Sequence, residues 1–274
     1  VSASAESLFK AEVHGEGRPI VFIPGLTCDG SVWDDTVKHL GDGYECHVLT
    51  LAGFAGQDPV DFGDAFLPKV KDAIHEYMLE QDLEKPVIVG HSLGGYLGMW
   101  LGVEMGDELG GLLIVDSLPF ATLVMNPGAT EESAKGFADN MRRMIASQTP
   151  EQYAASQEMM LNSMITDPQK REVAAAWSVS SDFKTVGQAM YDMYTHDLRD
   201  ELADIKVPTI VLGSWIAYKD YGATKDSTAG IFKAQYRELP GYTLHMSEAG
   251  KHFLMWDDPE LVYSELDALL EQTR

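Results

Sequence analysis

Pro86-Val87-Ile88-Val89-Gly90-His91-Ser92-Leu93-Gly94-Gly95 is the stretch that decides how this chain folds. Its first half is a short, continuous apolar run, rich in β-branched residues and bounded by Pro and Gly. That pattern suits a strand buried on both faces of a sheet. Its second half opens a helix over Leu93 to Met105, where apolar residues recur at three-to-four spacing. Between the two lies Gly-x-Ser-x-Gly, from Gly90 to Gly94. A serine in a sharp strand-to-helix turn has its hydroxyl exposed above the sheet edge. The flanking glycines are required because side chains there would strike the neighbouring strand and helix. The pentapeptide alone is a weak signal, and its place between a strand and a helix makes it specific. A glycine-rich connection with an incidental serine is the plain alternative.

Working outward, similar apolar runs occur at Pro19 to Pro24, Glu45 to Leu51, Gly111 to Val115, Pro208 to Gly213 and Tyr242 to Met246. Helical patterns separate them. Phe66 to Leu79, for example, places Phe66, Val70, Ala73/Ile74 and Tyr77/Met78 on one face. Strand–helix alternation predicts an α/β fold with a doubly wound, mostly parallel sheet. From Pro119 to about Asp197 no strand is visible, and the pattern is helical and rich in methionine. This segment reads as a helical cap over 119–197, inserted after the sixth strand. The core is then 1–118 and 198–274. Most cap methionines read as packing filler, with a minority facing a pocket.

Composition narrows the function. The chain has 274 residues, with 20 Lys+Arg against 43 Asp+Glu and a formal charge of −23. A phosphate-backbone binder needs a basic face, so nucleic acid is excluded as the leading partner. No apolar run reaches the roughly 20 residues of a membrane span. The apolar fraction of 45% excludes disorder as the main state. Cys28 and Cys46 are too few for a disulfide scaffold and read as free thiols. The start at Val1, followed by Ser2-Ala3-Ser4-Ala5, fits a periplasmic or secreted chain whose signal peptide has been removed, with a cytoplasmic chain as the alternative.

A serine hydroxyl needs a base to take its proton before it can attack. His252 follows the last predicted strand and precedes the last helix, so its loop lies at the same carboxyl edge of the sheet as Ser92. His91 reads as a packing residue beside the site, and His245 and His196 as structural or surface residues. The Leu93 N–H sits at a helix N-terminus and can face a developing negative charge. A second donor is expected from the loop Ile23-Pro24-Gly25-Leu26-Thr27, at the Leu26 N–H.

These features identify the chain as a member of the α/β-hydrolase superfamily, resembling its lidded esterases and lipases. Pro24-Gly25 resembles the family's His-Gly oxyanion loop, with Pro in place of His. Leu51 to Gly56 resembles the turn after the next core strand, and Trp256 to Glu260 the helix start after the family's histidine. The resemblance implies a Ser-His-acid triad of Ser92, His252 and a carboxylate. It departs from the family pattern at the usual acid position, which is Ile216. Some members, haloalkane dehalogenases among them, place the acid after the earlier strand. That position is Asp116, the leading candidate, with Asp220 and Asp226 as alternatives.

The expected reaction is hydrolysis of a small-molecule carboxylic ester or lactone through an acyl-enzyme, without metal or cofactor, in a monomer or dimer. Met125, Met144, Trp177, Tyr191 and Trp215 are the expected substrate contacts, suited to bulky apolar or macrolide-like esters. An iminopeptidase-like or other amide or C–C hydrolase is the alternative. An iminopeptidase would need Glu131, Glu132 or Glu158 to hold a substrate amine. A ligand receptor without turnover is more remote.

Overall fold

A computed structural model describes residues 8–274. The chain start, on which the expectation of export rests, lies outside the described residues. Seven strands form one sheet: β1 (Phe9–His14), β2 (Arg18–Ile23), β3 (Tyr44–Leu51), β4 (Val87–His91), β5 (Gly111–Val115), β6 (Thr209–Gly213) and β7 (Thr243–Met246). Their order is β1-β3-β2-β4-β5-β6-β7. β1 pairs antiparallel with β3, and every other pairing is parallel.

The continuous apolar runs follow from burial on both faces. Along β2, Val21 and Ile23 enter one core while Ile20 and Phe22 enter the other. Along β5, Leu112 and Ile114 face the first, and Leu113 and Val115 the second. This is the period-two alternation of a strand with both sides covered. Helices α1 (Asp34–Leu40), α2 (Leu67–Glu80) and α3 (Leu93–Met105) link the first five strands. α2 and α3 close the first face, through residues such as Val70, Ile74, Leu97 and Leu101.

Between β5 and β6 lie five helices: α4 (Thr122–Met125), α5 (Glu131–Ala146), α6 (Pro150–Met164), α7 (Pro168–Ser180) and α8 (Phe183–Thr195). The insertion therefore follows the fifth described strand, not a sixth. Capping fixes where these helices begin. Thr130 and Thr149 form reciprocal capping boxes, and Asp167 and Asp182 accept from amides two and three residues on. The insertion is tied to the core through Asp192. Its Oδ2 accepts from the Phe66 and Leu67 amides at the start of α2, at 2.7 and 2.9 Å. A carboxylate at a helix N-terminus is stabilised by the unpaired amides there. The chain closes with α9 (Lys225–Gln235), α10 (Leu254–Asp257) and α11 (Pro259–Gln272). Val262, Leu266 and Leu269 of α11 cover the second face. No helix among the described residues is long and apolar enough to cross a membrane.

The chain leaves β2 for β3 on one side and returns to β4 on the other. The carboxyl ends of β2 and β4 thus flank the point where the winding direction reverses. Loops diverge there and leave a crevice, the usual ligand site of open α/β sheets.

Candidate active site

Both loops at that crevice carry chemistry. After β4, Ser92 adopts φ 53° and ψ −117° immediately before α3. A non-glycine residue at positive φ is strained by about 1–3 kcal/mol, and such strain persists only where the surroundings enforce it. Here the Ser92 amide donates to the Val115 carbonyl at 2.9 Å, and the Ser92 carbonyl accepts from Tyr96 N at 3.0 Å. The glycines of the motif are sterically required. A Cβ on Gly90 would run into the Gly94 carbonyl, and one on Gly94 into the Ile23 carbonyl. Ser92 itself is half-buried and lines a cavity of about 340 Å³.

His252 reaches the same cavity from the loop between β7 and α10. Its Nδ1 is 2.6 Å from Asp116 Oδ2. Asp116 directly follows β5 and is held at φ 49°. Its Oδ1 accepts from the Ser214 amide at 2.7 Å, and its Oδ2 from the Ser214 hydroxyl at 2.6 Å. Of the three candidate carboxylates, Asp116 is the one bonded to His252. Asp220 lies exposed in the 3-10 helix Ile216–Tyr221, and Asp226 lies exposed in the first turn of α9. No hydrogen bond among the described residues joins the Ser92 hydroxyl to the His252 ring. Sites of this kind often tighten that contact only with substrate bound.

His91 braces the arrangement from below. Its ring is 1% exposed, and its Nε2 lies 3.0 Å from the His252 carbonyl. A donor is needed at that nitrogen, so Nδ1 carries the lone pair, and Nδ1 has no partner. Burial, followed by the charge of nearby His252, holds the His91 pKa well below the usual histidine value. His91 is therefore neutral and fixes the backbone of the residue that must move the proton.

Leu26 lines the cavity together with Ser92, Leu93 follows Ser92 at the start of α3, and neither amide has an acceptor among the described residues. A Cβ on Gly25 would fall 3.4 Å from Ser92 Cβ, so the β2 loop and the elbow are in close approach. Free amides aimed at a common point are what an oxyanion needs.

The expected substrate contacts need correction. Met144 lines the cavity, but Met125, Trp177, Tyr191 and Trp215 do not. Met125 is 53% exposed on α4. Trp177 packs against Trp256 at 5.7 Å, and Tyr191 lies under the Arg142 guanidinium. Trp215 donates its indole N–H to the Ser247 carbonyl. Large side chains more often serve packing than substrate contact. The walls are made instead by Met141 and Met144 of α5, Met160 and Met164 of α6, and Met190 and Met193 of α8. Six of the eight cap methionines thus face the cavity, where only a minority was expected. Their three-to-four spacing on three helices was the signal. Cys28 also lines the cavity, unlinked to Cys46. Burial pushes its thiol up to about 12, so it stays protonated. Glu131, Glu132 and Glu158 lie outside the lining, which removes the anchor that an amine substrate would need.

Fold and site together define a hydrolase architecture. A family model described as the alpha/beta hydrolase family matches residues 20–265, and the chain belongs to that family. It is 25% identical over 232 residues to the pimeloyl-[acyl-carrier protein] methyl ester esterase of Proteus mirabilis, covering 82% of this chain and 84% of that protein. It is 24% identical over 200 residues to the Legionella pneumophila (strain Paris) protein of the same name, covering 73% and 75%. Its fold superposes on a thermophilic esterase from Thermogutta terrifontis with a TM-score of 0.76, at 22% identity over 97% of this chain and 93% of that one.

Proposed function

We propose that this member of the esterase-type hydrolases cleaves uncharged carboxylic esters through an acyl-enzyme on Ser92. The observation that carries the reading is the hydrogen bond from Asp116 to His252, which lines the same cavity as Ser92. His252 Nε2 takes the Ser92 proton as Oγ attacks the ester carbonyl. Asp116 keeps the Nδ1–H tautomer and stabilises the imidazolium that forms. The Leu26 and Leu93 amides hold the negative oxygen of the tetrahedral intermediate. His252 then gives its proton to the leaving alcohol. Water repeats the sequence on the acyl-enzyme, with His252 again as base, and releases the acid.

The helical segment 119–197 serves as the lid that shapes the substrate site. A volume of about 340 Å³ lies at the small end of ligand pockets. It favours esters of modest size over macrolide-like ones. Methionine walls suit flexible apolar groups, because the side chain is unbranched and polarisable. The test is Ser92→Ala on a chromogenic short-chain ester. Turnover should vanish while the far-UV circular dichroism stays unchanged. Full activity in the variant would refute the reading.

A further inference from the structure

Helix α6 presents Tyr153, Gln157 and Leu161 as its buried stripe, at intervals of four residues. Gln157 is the anomaly. It is 8% exposed, yet neither its amide nitrogen nor its oxygen is hydrogen-bonded among the described residues. A primary amide offers two donors and an acceptor, and buried groups of this kind are nearly always satisfied. The other buried glutamines follow that rule at least in part. Gln188 bonds to Arg142, to the Asp64 carbonyl and to Asp192, and Gln235 accepts from Phe120 N. The Gln157 amide is also not sealed in the protein interior. It is absent from the fully enclosed unpartnered atoms, and its residue lines the cavity that holds Ser92.

The rest of that cavity gives the complementary information. Among the described residues, its lining contains no Asp, Glu, Lys or Arg. A charged substrate group would lose its water there without gaining a counter-ion. A wholly apolar group would leave the Gln157 amide unsatisfied for as long as substrate is bound. A neutral group that both donates and accepts meets both conditions.

We propose that Gln157 is a specificity-determining residue whose amide pairs with an uncharged donor–acceptor group, a carboxamide or hydroxyl, carried by the ester within the methionine-lined cavity. This rests on the serine-esterase reading and adds the class of ester. The substrate has an apolar body with one such polar group and no charge at that end.

The experiment uses p-nitrophenyl esters of one chain length whose acyl ends are methyl, carboxamide, hydroxymethyl or carboxylate. In the wild type, kcat/KM for the carboxamide or hydroxymethyl ester should exceed that for the methyl ester about tenfold, with the carboxylate lowest. Tenfold corresponds to one hydrogen bond of ordinary strength. Gln157→Leu should bring the ratio of polar to methyl ester close to one, chiefly through KM. Equal rates for all four esters in the wild type would overturn the subsite and leave the esterase reading intact. So would a ratio unchanged by Gln157→Leu. Hydrolysis of none of the four would refute the esterase reading itself. If Gln157→Leu does not fold, Gln157→Met, of similar length and without the amide, takes its place with the same two outcomes.

Discussion

Asp116 Oδ2 and His252 Nδ1 stand 2.6 Å apart, joining two residues separated by 136 positions in the chain. Asp116 is rigid because it leaves β5 directly and both its oxygens accept from Ser214. A carboxylate so held can select the imidazole tautomer that leaves Nε2 free as a base.

Asp116→Asn should therefore lower kcat by about ten-thousand-fold while the protein stays folded, because the amide supports the wrong tautomer. Asp220→Asn and Asp226→Asn should leave kcat within about twofold, the scatter of an exposed substitution. Steady-state kinetics on one ester separates the three. A large loss at Asp220 instead would move the acid to the loop after β6.

Ser92 holds φ 53° at the elbow. Glycine adopts that conformation without strain, which relieves about 1–3 kcal/mol. Its extra freedom in the unfolded chain takes back roughly 0.5–1 kcal/mol. Ser92→Gly should abolish turnover yet raise stability by about 1 kcal/mol, or about 2–4 °C in Tm. A lowered Tm in differential scanning calorimetry would show that the elbow is not strained.

Burial and the His252 charge lower the pKa of His91 in the folded state. Unfolded histidine titrates near its ordinary value of about 6.5. Below that pH the unfolded chain takes up a proton that folded His91 refuses, so the stability present above it falls as the pH drops. The loss can reach about 1.4 kcal/mol per pH unit until folded His91 itself protonates. His91→Gln should flatten the stability profile below pH ~6.5. Urea melts of both proteins between neutral and mildly acidic pH measure the difference in slope, and parallel profiles would contradict the assignment.

Met193 is half-buried and lines the cavity from α8. Met193→Ala should enlarge the site and shift the preferred acyl chain toward longer esters. The stability loss should be about 1–2 kcal/mol, below the 2–5 of a fully buried methionine. A chain-length profile identical to wild type would show that this wall does not touch the acyl group.

What the sequence made legible, and what it left hidden, follows from how local each signal was. The strands β2 to β6 announce themselves because burial on both faces makes each a largely apolar run. β1 escapes notice because it is an edge strand, with Lys10 and Glu12 alternating with Phe9 and Ala11 and most of its residues part-exposed or exposed. Ser92 and His252 were readable from their places at strand ends. The choice among Asp116, Asp220 and Asp226 was not, because it depends on which loop meets the His252 ring in space. Gln157 carries no local mark at all. Its neighbours Tyr153 and Leu161 show a buried stripe, but only tertiary packing reveals that the amide between them lacks a partner.

Covalent capture of the serine tests the central claim most directly. The protein is incubated with a fluorophosphonate, digested, and mapped by mass spectrometry. The account predicts one stoichiometric adduct on Ser92, lost in Ser92→Ala and formed far more slowly in His252→Ala. An adduct on another residue with ester hydrolysis abolished, or unmodified Ser92 in a protein that still hydrolyses esters, would contradict it.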